Sequence, residues 1–443
     1  MAKNFIEQVP FKFKHSLYDI FSDENTKYYF DYKEVDDKGR YLYWEDFKWR
    51  VKKNDDPLIA WYAVKSARTN GRKLLRLKDK NNQFFHYSVP GILQAELYQI
   101  MEFSRVGLVP NNSVGNAYLL SSLTIEEAIN SSQLEGASTT RRVAKEMLKS
   151  HRKPQTEDEQ MIYNNYLLMK ELQVEKDEDL SIDIILRFHK IATIQTSHNN
   201  VVPGKFRIDD EIYIADRDNN VLYQPPRHEE IIDRINALCI FSNTKHEGID
   251  FIHPVIKAII LHFMIGYIHP FSDGNGRTAR ALFYWFMLKN GYDYFEYISI
   301  SKLLKAAPAK YSKAYQYVDA DDNDLNYFIF HQIDVILRAI NELHKYLETQ
   351  SREYQEVNAI LHQSDLKKKL NFIQKDIIKI AIKNPGKIFK ANEVAVDYDI
   401  AINTARTYLT RLLEYKILSF YKDGRTKAYI APANLHELLK KAK

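Results

Sequence analysis

Between His269 and Arg280 the chain sets down, within twelve residues, an imidazole, a carboxylate, two closely spaced glycines and two guanidinium groups. The run reads His269-Pro270-Phe271-Ser272-Asp273-Gly274-Asn275-Gly276-Arg277-Thr278-Ala279-Arg280. Each type suits one part of phosphate chemistry. Gly274 and Gly276 let the backbone turn tightly and approach a ligand closely. The loop feeds into a helix N-terminus, whose free N–H groups and positive dipole end favour an anion. Arg277 and Arg280 add forked donors that match phosphate oxygens. Asp273 is one carboxylate beside that anion, which suits Mg2+, an ion that takes one or two carboxylates plus substrate phosphates. His269, at the end of the preceding helix, is placed to act as a general base. Singly, each residue has an ordinary reading: a structural histidine, a turn, two solvated arginines. Their coincidence points to a phosphate site, and the spacing matches neither the P-loop nor the GxGxxG loop.

These residues need elements to hold them. Residues 255–268 and 278–289 read as strongly apolar helices, and Pro254 suits a first helical position. Ser121 to Gln133 has near-helical apolar spacing and stops at Gly136. Leu180 to Ile194 is a further amphipathic stretch. Residues 205–223 break the pattern. Ile208, Ile212 and Ile214 lie among Asp209, Asp210, Glu211 and Asp216, with Asp218-Asn219-Asn220 as a turn, which reads as a short hairpin among helices. Pro225-Pro226 restarts a helix that ends near Ser242. A polar helix from about Leu325 to Leu361 looks like a connector. Residues 1–100 form an accessory region, with a helix over 56–67 and a hairpin over 77–87 turning at Asn81-Asn82.

The 269–280 run resembles, at every specified position, the signature of Fic domains, His-x-Phe-x-(Asp/Glu)-Gly-Asn-Gly-Arg-x-x-Arg. The resemblance extends over about residues 100–340. It implies that His269 deprotonates a Ser, Thr or Tyr hydroxyl of a target protein, which attacks the α-phosphorus of ATP and releases pyrophosphate. Asp273 would hold Mg2+. The amides of Gly274, Asn275 and Gly276 would cradle the phosphates, with Arg277 and Arg280 on the β- and γ-phosphates. Phe271 would pack inward to fix the loop, and Tyr311 would lie near the adenine. Residues 205–216, with Ile212, Tyr213 and Ile214, resemble the flap that pairs with the target as an added strand. Ser131-Ser132-Gln133-Leu134-Glu135-Gly136 resembles the family's inhibitory motif in its N-terminal, class II position. Glu135 would ion-pair with Arg280 and push ATP out of line; removal of AMP from the target stays open as a second role for the same glutamate.

Composition narrows the remainder. A hydrophobic content of 45% and a charged content of 27% are ordinary for a globular chain, and only 14 glycines and 13 prolines among 443 residues favour helices. One cysteine, Cys239, excludes a disulfide framework and a Cys-rich zinc site, and reads as a small buried hydrophobe. Met1 to Ser16 shows no apolar core, so no signal peptide is expected. Phe251 to Ile268 contains His253, Lys257 and His262, which makes it a buried helix and not a membrane span. A cytoplasmic setting is the default.

Residues 371–443 carry 14 Lys and Arg against 7 Asp and Glu, a local net of +7 that leaves −2 on the rest. Helices at 372–382, 390–395 and 400–414, then strands at 417–421 and 427–430 about Lys422-Asp423-Gly424-Arg425, suggest a winged helix-turn-helix. Ile400, Thr404, Tyr408 and Leu412 would face inward. Asn403, Arg406, Thr407 and Thr410 would face DNA bases, with Lys422, Arg425 and Lys427 on phosphates. Such modules also dock proteins.

The expected fold is therefore all-α: an accessory region (1–100), a Fic helical core with a small β-hairpin flap (101–348), a linker helix (349–370) and a winged helix (371–443). The expected activity is autoinhibited AMP transfer from Mg-ATP to a protein hydroxyl. The rivals are a DNA-binding regulator whose core senses nucleotide, and a Fic enzyme with another donor. The expected partners are ATP, a target protein and DNA, with a homodimer in keeping with the family and no membrane.

Overall fold

The computed structural model describes residues 6–10, 25–105, 125–150, 152–196, 201–215, 220–361, 366–398, 400–423 and 426–441. The chain divides into two compact units. The first comprises residues 1–108, 126–138 and 155–339; the second comprises 109–125, 139–154 and 340–443. Four pieces of the expected elements lie outside the described residues: the start of the 121–133 helix at 121–124, the hairpin turn at 216–219, residues 362–365 of the linker helix, and Gly424 and Arg425 of the wing.

Among the described residues helices dominate, and the strands form three small sheets. At the centre of the first unit, helix Pro254–Ile268 is enclosed on all sides; from Val255 to Ile268 only Gly266 is not fully buried. A helix this apolar all round belongs in a core. It packs along helix Asn275–Lys289, against whose other side lie helices Glu157–Val174 and Ile182–Thr193. Thr156 and Ser181 cap the last two, accepting from Glu159 N and Ile184 N. The second core helix begins at Asn275, three residues before the expected start, because Gly274 (φ 79°) serves as its N-cap in a left-handed conformation. The phosphate-type loop therefore includes the first turn of the helix.

The N-terminal region belongs to the same unit. Asp56 caps helix Pro57–Asn70, which runs three residues past its expected end. Strands β1 (Lys73–Lys78) and β2 (Phe84–Tyr87) form the expected hairpin, with β1 starting earlier than read. This region is fixed to residues 321–327 by buried polar groups. Lys65 Nζ donates to Asp321 Oδ1 at 2.8 Å, both side chains at 6% exposure or less. Tyr327 OH donates to Asp321 Oδ2 at 2.6 Å, and Arg68 Nη1 donates to the Tyr327 hydroxyl at 2.8 Å. Burial pushes the Asp321 carboxyl up, but Lys65 and Tyr327 outweigh it and hold it below the usual range. Breaking such a pair strands one buried charge. Lys65→Ala is expected to lower stability by about 3 kcal/mol in chemical denaturation, with Lys65→Met/Asp321→Leu recovering most of it. A loss below ~1 kcal/mol would mean that the pair does not anchor this region.

Strands β3 (Ile214–Ala215) and β4 (Val221–Tyr223) form the short inserted hairpin. In the second unit, helices Phe372–Lys383, Ala391–Tyr398 and Ile402–Glu414 accompany a sheet of β5 (Ile388–Lys390), β6 (Ser419–Asp423) and β7 (Thr426–Ile430), ordered β5-β7-β6. Strand β5 stands where a helix was read to begin, so the second helix starts at Ala391. The third helix buries Ala405, Leu409 and Leu412, so its inner face is one residue out of phase with the expected Thr404 and Tyr408. Asn403, Arg406 and Thr407 are exposed as read. Thr410 is not outward: it is half-buried, and its hydroxyl pairs with the Tyr429 hydroxyl at 3.0 Å.

Candidate active site

His269 closes helix Pro254–Ile268 in a left-handed conformation, φ 49°. This turn points the chain into the loop and leaves Nδ1 3.3 Å from Gly266 O. With the Nδ1 proton given to that carbonyl, Nε2 is the free basic nitrogen. Burial pulls the imidazole down to about 4, so the ring is neutral at pH 7.

The loop after His269 is fixed by its own side chains. Asn275 is buried; its Oδ1 accepts from Phe271 N at 3.0 Å and its Nδ2 donates to Phe271 O at 2.8 Å. Phe271 is fully buried and stacks on His189, with centroids 3.7 Å apart and planes 3° apart. No side chain caps the helix that starts at Asn275. Its first N–H groups are the anion site that the glycines leave approachable.

The two arginines do different things. Arg277 is buried; Nη2 donates to Asp273 Oδ2 at 2.8 Å and Nη1 to Ala192 O at 2.7 Å. Its terminal nitrogens thus hold the Asp273 carboxylate and the end of helix Ile182–Thr193, a positioning role that the sequence reading did not separate from phosphate contact. Arg280 is also buried. Nε donates to Ser131 Oγ at 2.9 Å, while Nη2 reaches Ser131 O at 3.2 Å and Glu135 Oε1 at 2.9 Å. Among the described residues its Nη1 has no hydrogen-bond partner. Ser131 lies in a helix over 125–134, and Glu135 follows at its end, before Gly136 at φ 105°. The Glu135 carboxylate lies against the loop as well: a Cβ on Gly276 would stand 2.2 Å from Oε1.

Two cavities meet on this floor. A larger one, about 500 Å3, runs from His269, Asn275 and Gly276 toward Tyr311 and Tyr315. A smaller one, about 240 Å3, is bounded by Asp273 and by Ile212 and Tyr213 of the inserted hairpin. His269 and Glu135 line both; Ile214 lines the larger. Tyr213 is about half exposed, and the backbone of 211–213 belongs to no strand. The Tyr311 hydroxyl pairs with His262 Nε2 at 2.8 Å. Asp273 gives one oxygen to Arg277 and faces the smaller cavity. That fits a single-carboxylate Mg2+ site completed by phosphates and water. Among the described residues no group of three or more His, Cys, Asp or Glu side chains could hold a metal by itself.

Two residues were missed in the sequence. His189 stacks under Phe271, pairs with Asp273 O through Nε2 at 3.0 Å, and accepts from Gly204 N through Nδ1 at 3.0 Å. It joins the loop to the start of the flap, and burial lowers it to about 4. Arg207 is buried, with Nε on His269 O at 3.0 Å and Nη1 on Asp210 Oδ1 at 2.8 Å. Nothing in their local sequence separates them from ordinary helix and loop residues.

Residues 179–287 match the Fic/DOC family. Over 153 residues the chain is 29% identical to "Protein adenylyltransferase Fic" of Nematostella vectensis, covering 32% of each chain. It is 31% identical over 121 residues to "Protein adenylyltransferase fic-1" of Caenorhabditis elegans, covering 27% of this chain and 22% of that one. The chain thus spans about a third or less of these relatives' length. A solved fragment of Fic-1 from C. elegans superposes with a TM-score of 0.50 at 15% identity, covering 69% of this chain and 82% of the fragment, which shows the fold. No helix among the described residues is long and apolar enough to cross a membrane. With the family match falling on the loop and helices just described, the chain carries a Fic domain of the Fic/DOC family over residues 179–287.

Proposed function

We propose that the protein transfers AMP from Mg-ATP to a hydroxyl of a target protein, and that Glu135 restrains the reaction. The observation that carries this is the neutral His269, which opens on both cavities beside an uncapped helix N-terminus. The larger cavity suits ATP, and the smaller, with the flap on its rim, suits the incoming side chain. His269 Nε2 takes the hydroxyl proton as the oxygen attacks the α-phosphorus; the bond to the β-phosphate oxygen breaks and pyrophosphate leaves. The amides of Gly274, Asn275 and Gly276 stabilise charge on the phosphates where it grows. Arg280 takes the terminal phosphate once Glu135 withdraws. Asp273, held by Arg277, would bind Mg2+, which neutralises phosphate charge. The 211–214 segment, which lies in no strand before Ile214, presents the target segment. The need for ATP fits a cytoplasmic setting. The names of the relatives, protein adenylyltransferases, agree with this chemistry.

The test is isotopic. With Mg2+ and a cell lysate, label should reach protein from α-labelled ATP and not from γ-labelled ATP. Transfer from the γ position instead would mean phosphoryl transfer and overturn the reading. A second role, DNA contact by the winged-helix unit, is supported by the exposure of Asn403, Arg406 and Thr407 on its third helix together with that segment's local charge of +7.

A further inference from the structure

The larger cavity is not built by the Fic domain alone. One wall is a face of helix Pro308–Ala320, with Tyr311, Tyr315 and Asp319 four residues apart. Ile6 and Gln8 from the N-terminal segment also line the cavity. These two residues lie at alternate positions of a non-helical segment, while the exposed Glu7 between them is tied by its carboxylate to Trp44 and Lys48.

Glu7 is the anchor. Trp44 Nε1 donates to Glu7 Oε1 at 2.9 Å, and Lys48 Nζ pairs with Oε2. The Tyr43 hydroxyl donates to Glu7 O at 2.8 Å, and Glu7 N donates to Glu45 Oε2 at 3.1 Å. The same Glu45 accepts from Lys313 Nζ at 2.6 Å through its other oxygen. Tyr43 stacks on Tyr317, with centroids 4.0 Å apart and planes 9° apart. Residues 43–48 therefore fasten the 6–8 segment to the helix that forms the facing wall, and all these contacts lie in the first unit.

The chemistry of the wall suits a heteroaromatic ring. On the reading above, the phosphates would go to the loop by Gly276; the rest of the lining includes Tyr311, Tyr315 and Ile6 with the amides of Gln8 and Gln316. An amide both donates and accepts, so it can read the polar edge of a base. A volume of about 500 Å3 exceeds what a phosphate chain fills and is within the range of small-molecule sites.

We propose that residues 6–8, outside the Fic domain, close the base end of the nucleotide pocket: Ile6 covers the base and Gln8 reads its edge, so the N-terminal region selects the donor nucleotide. This rests on the reading of the larger cavity as the ATP site.

The experiment is calorimetric titration of the full chain, carrying Glu135→Gly so that Arg280 is free, with Mg-ATP, Mg-UTP and Mg-tripolyphosphate. Tripolyphosphate probes the phosphate end without a base. The parent should bind ATP more tightly than UTP or tripolyphosphate. Adding Ile6→Ala and Gln8→Ala should weaken ATP about tenfold, narrow its margin over UTP, leave tripolyphosphate unchanged and leave the melting temperature unchanged. The anchor variant Glu7→Gln should move ATP affinity in the same direction. ATP affinity unchanged by the double substitution, or a parent that binds ATP no better than tripolyphosphate, would overturn this proposal while leaving AMP transfer standing. A parent that binds none of the three would overturn both.

Discussion

Replacing His269 by Ala is expected to lower AMP transfer by about 10²–10⁴-fold, the range of one positioned general base, while ATP binding is kept. The prediction has a pH signature. The base must be neutral to accept a proton, and its pKa is drawn from the ordinary 6.5 to about 4 by burial. The free enzyme's kcat/KM should thus stay flat from pH 8 to about 5 and fall as pH drops through about 4. An unshifted histidine would lose activity from pH 6.5 downward. Bound ATP places negative charge beside the ring, which favours its protonated form. The acid limb of kcat, which reports the complex, should therefore lie at higher pH than that of kcat/KM. An acid limb of kcat/KM near 6.5, or transfer unaffected by His269→Ala, would remove His269 as the base.

Glu135→Gly is expected to raise transfer on the order of a hundredfold, the scale set by an α-phosphorus about 1 Å out of line. Arg280 is buried, and its three hydrogen bonds run to Ser131 and Glu135. Removing the carboxylate leaves Nη2 with Ser131 O alone, at 3.2 Å, beside an Nη1 that has no partner among the described residues. A buried donor that loses its acceptor is unfavourable by about 1–3 kcal/mol, so this variant should melt below wild type. A bound triphosphate should restore more of its stability than it adds to wild type, since it supplies the missing acceptors. Label transfer and ATP-dependent melting of the two proteins together test the brake. Equal transfer rates would mean that Glu135 is a structural carboxylate.

The 269–280 run was legible because its residues are contiguous. A base, a carboxylate, an anion nest and two arginines within twelve residues leave little to tertiary structure. The supports were not legible for the opposite reason. His189 and Arg207 act across 84 and 62 residues, on Asp273 O and His269 O, and in their own segments they look like ordinary polar positions. Lys65 and Asp321, 256 residues apart, show nothing of their pairing in local pattern. Arg277 looked equivalent to Arg280 until the helix was seen to start at Asn275, which sets Arg277 one turn from Asp273. On the winged-helix unit the phase slipped by one because Ala405 fills an inner position with a residue too small to mark it, while Tyr408 is only half-buried.

Gly276 and Glu135 compete for one small volume, since an oxygen of the carboxylate lies where a side chain at 276 would begin. The two positions are therefore epistatic. While Glu135 is docked, even a methyl group at 276 is excluded; once Glu135 is lost, that prohibition eases. A drift to alanine at 276 would displace the glutamate without touching residues 131–136, and it would crowd Arg280 Nη1, 3.0 Å from the new Cβ, at the same time. If Glu135 is the proposed restraint, it is guarded from two places 141 residues apart, and one of them is guarded by the absence of an atom.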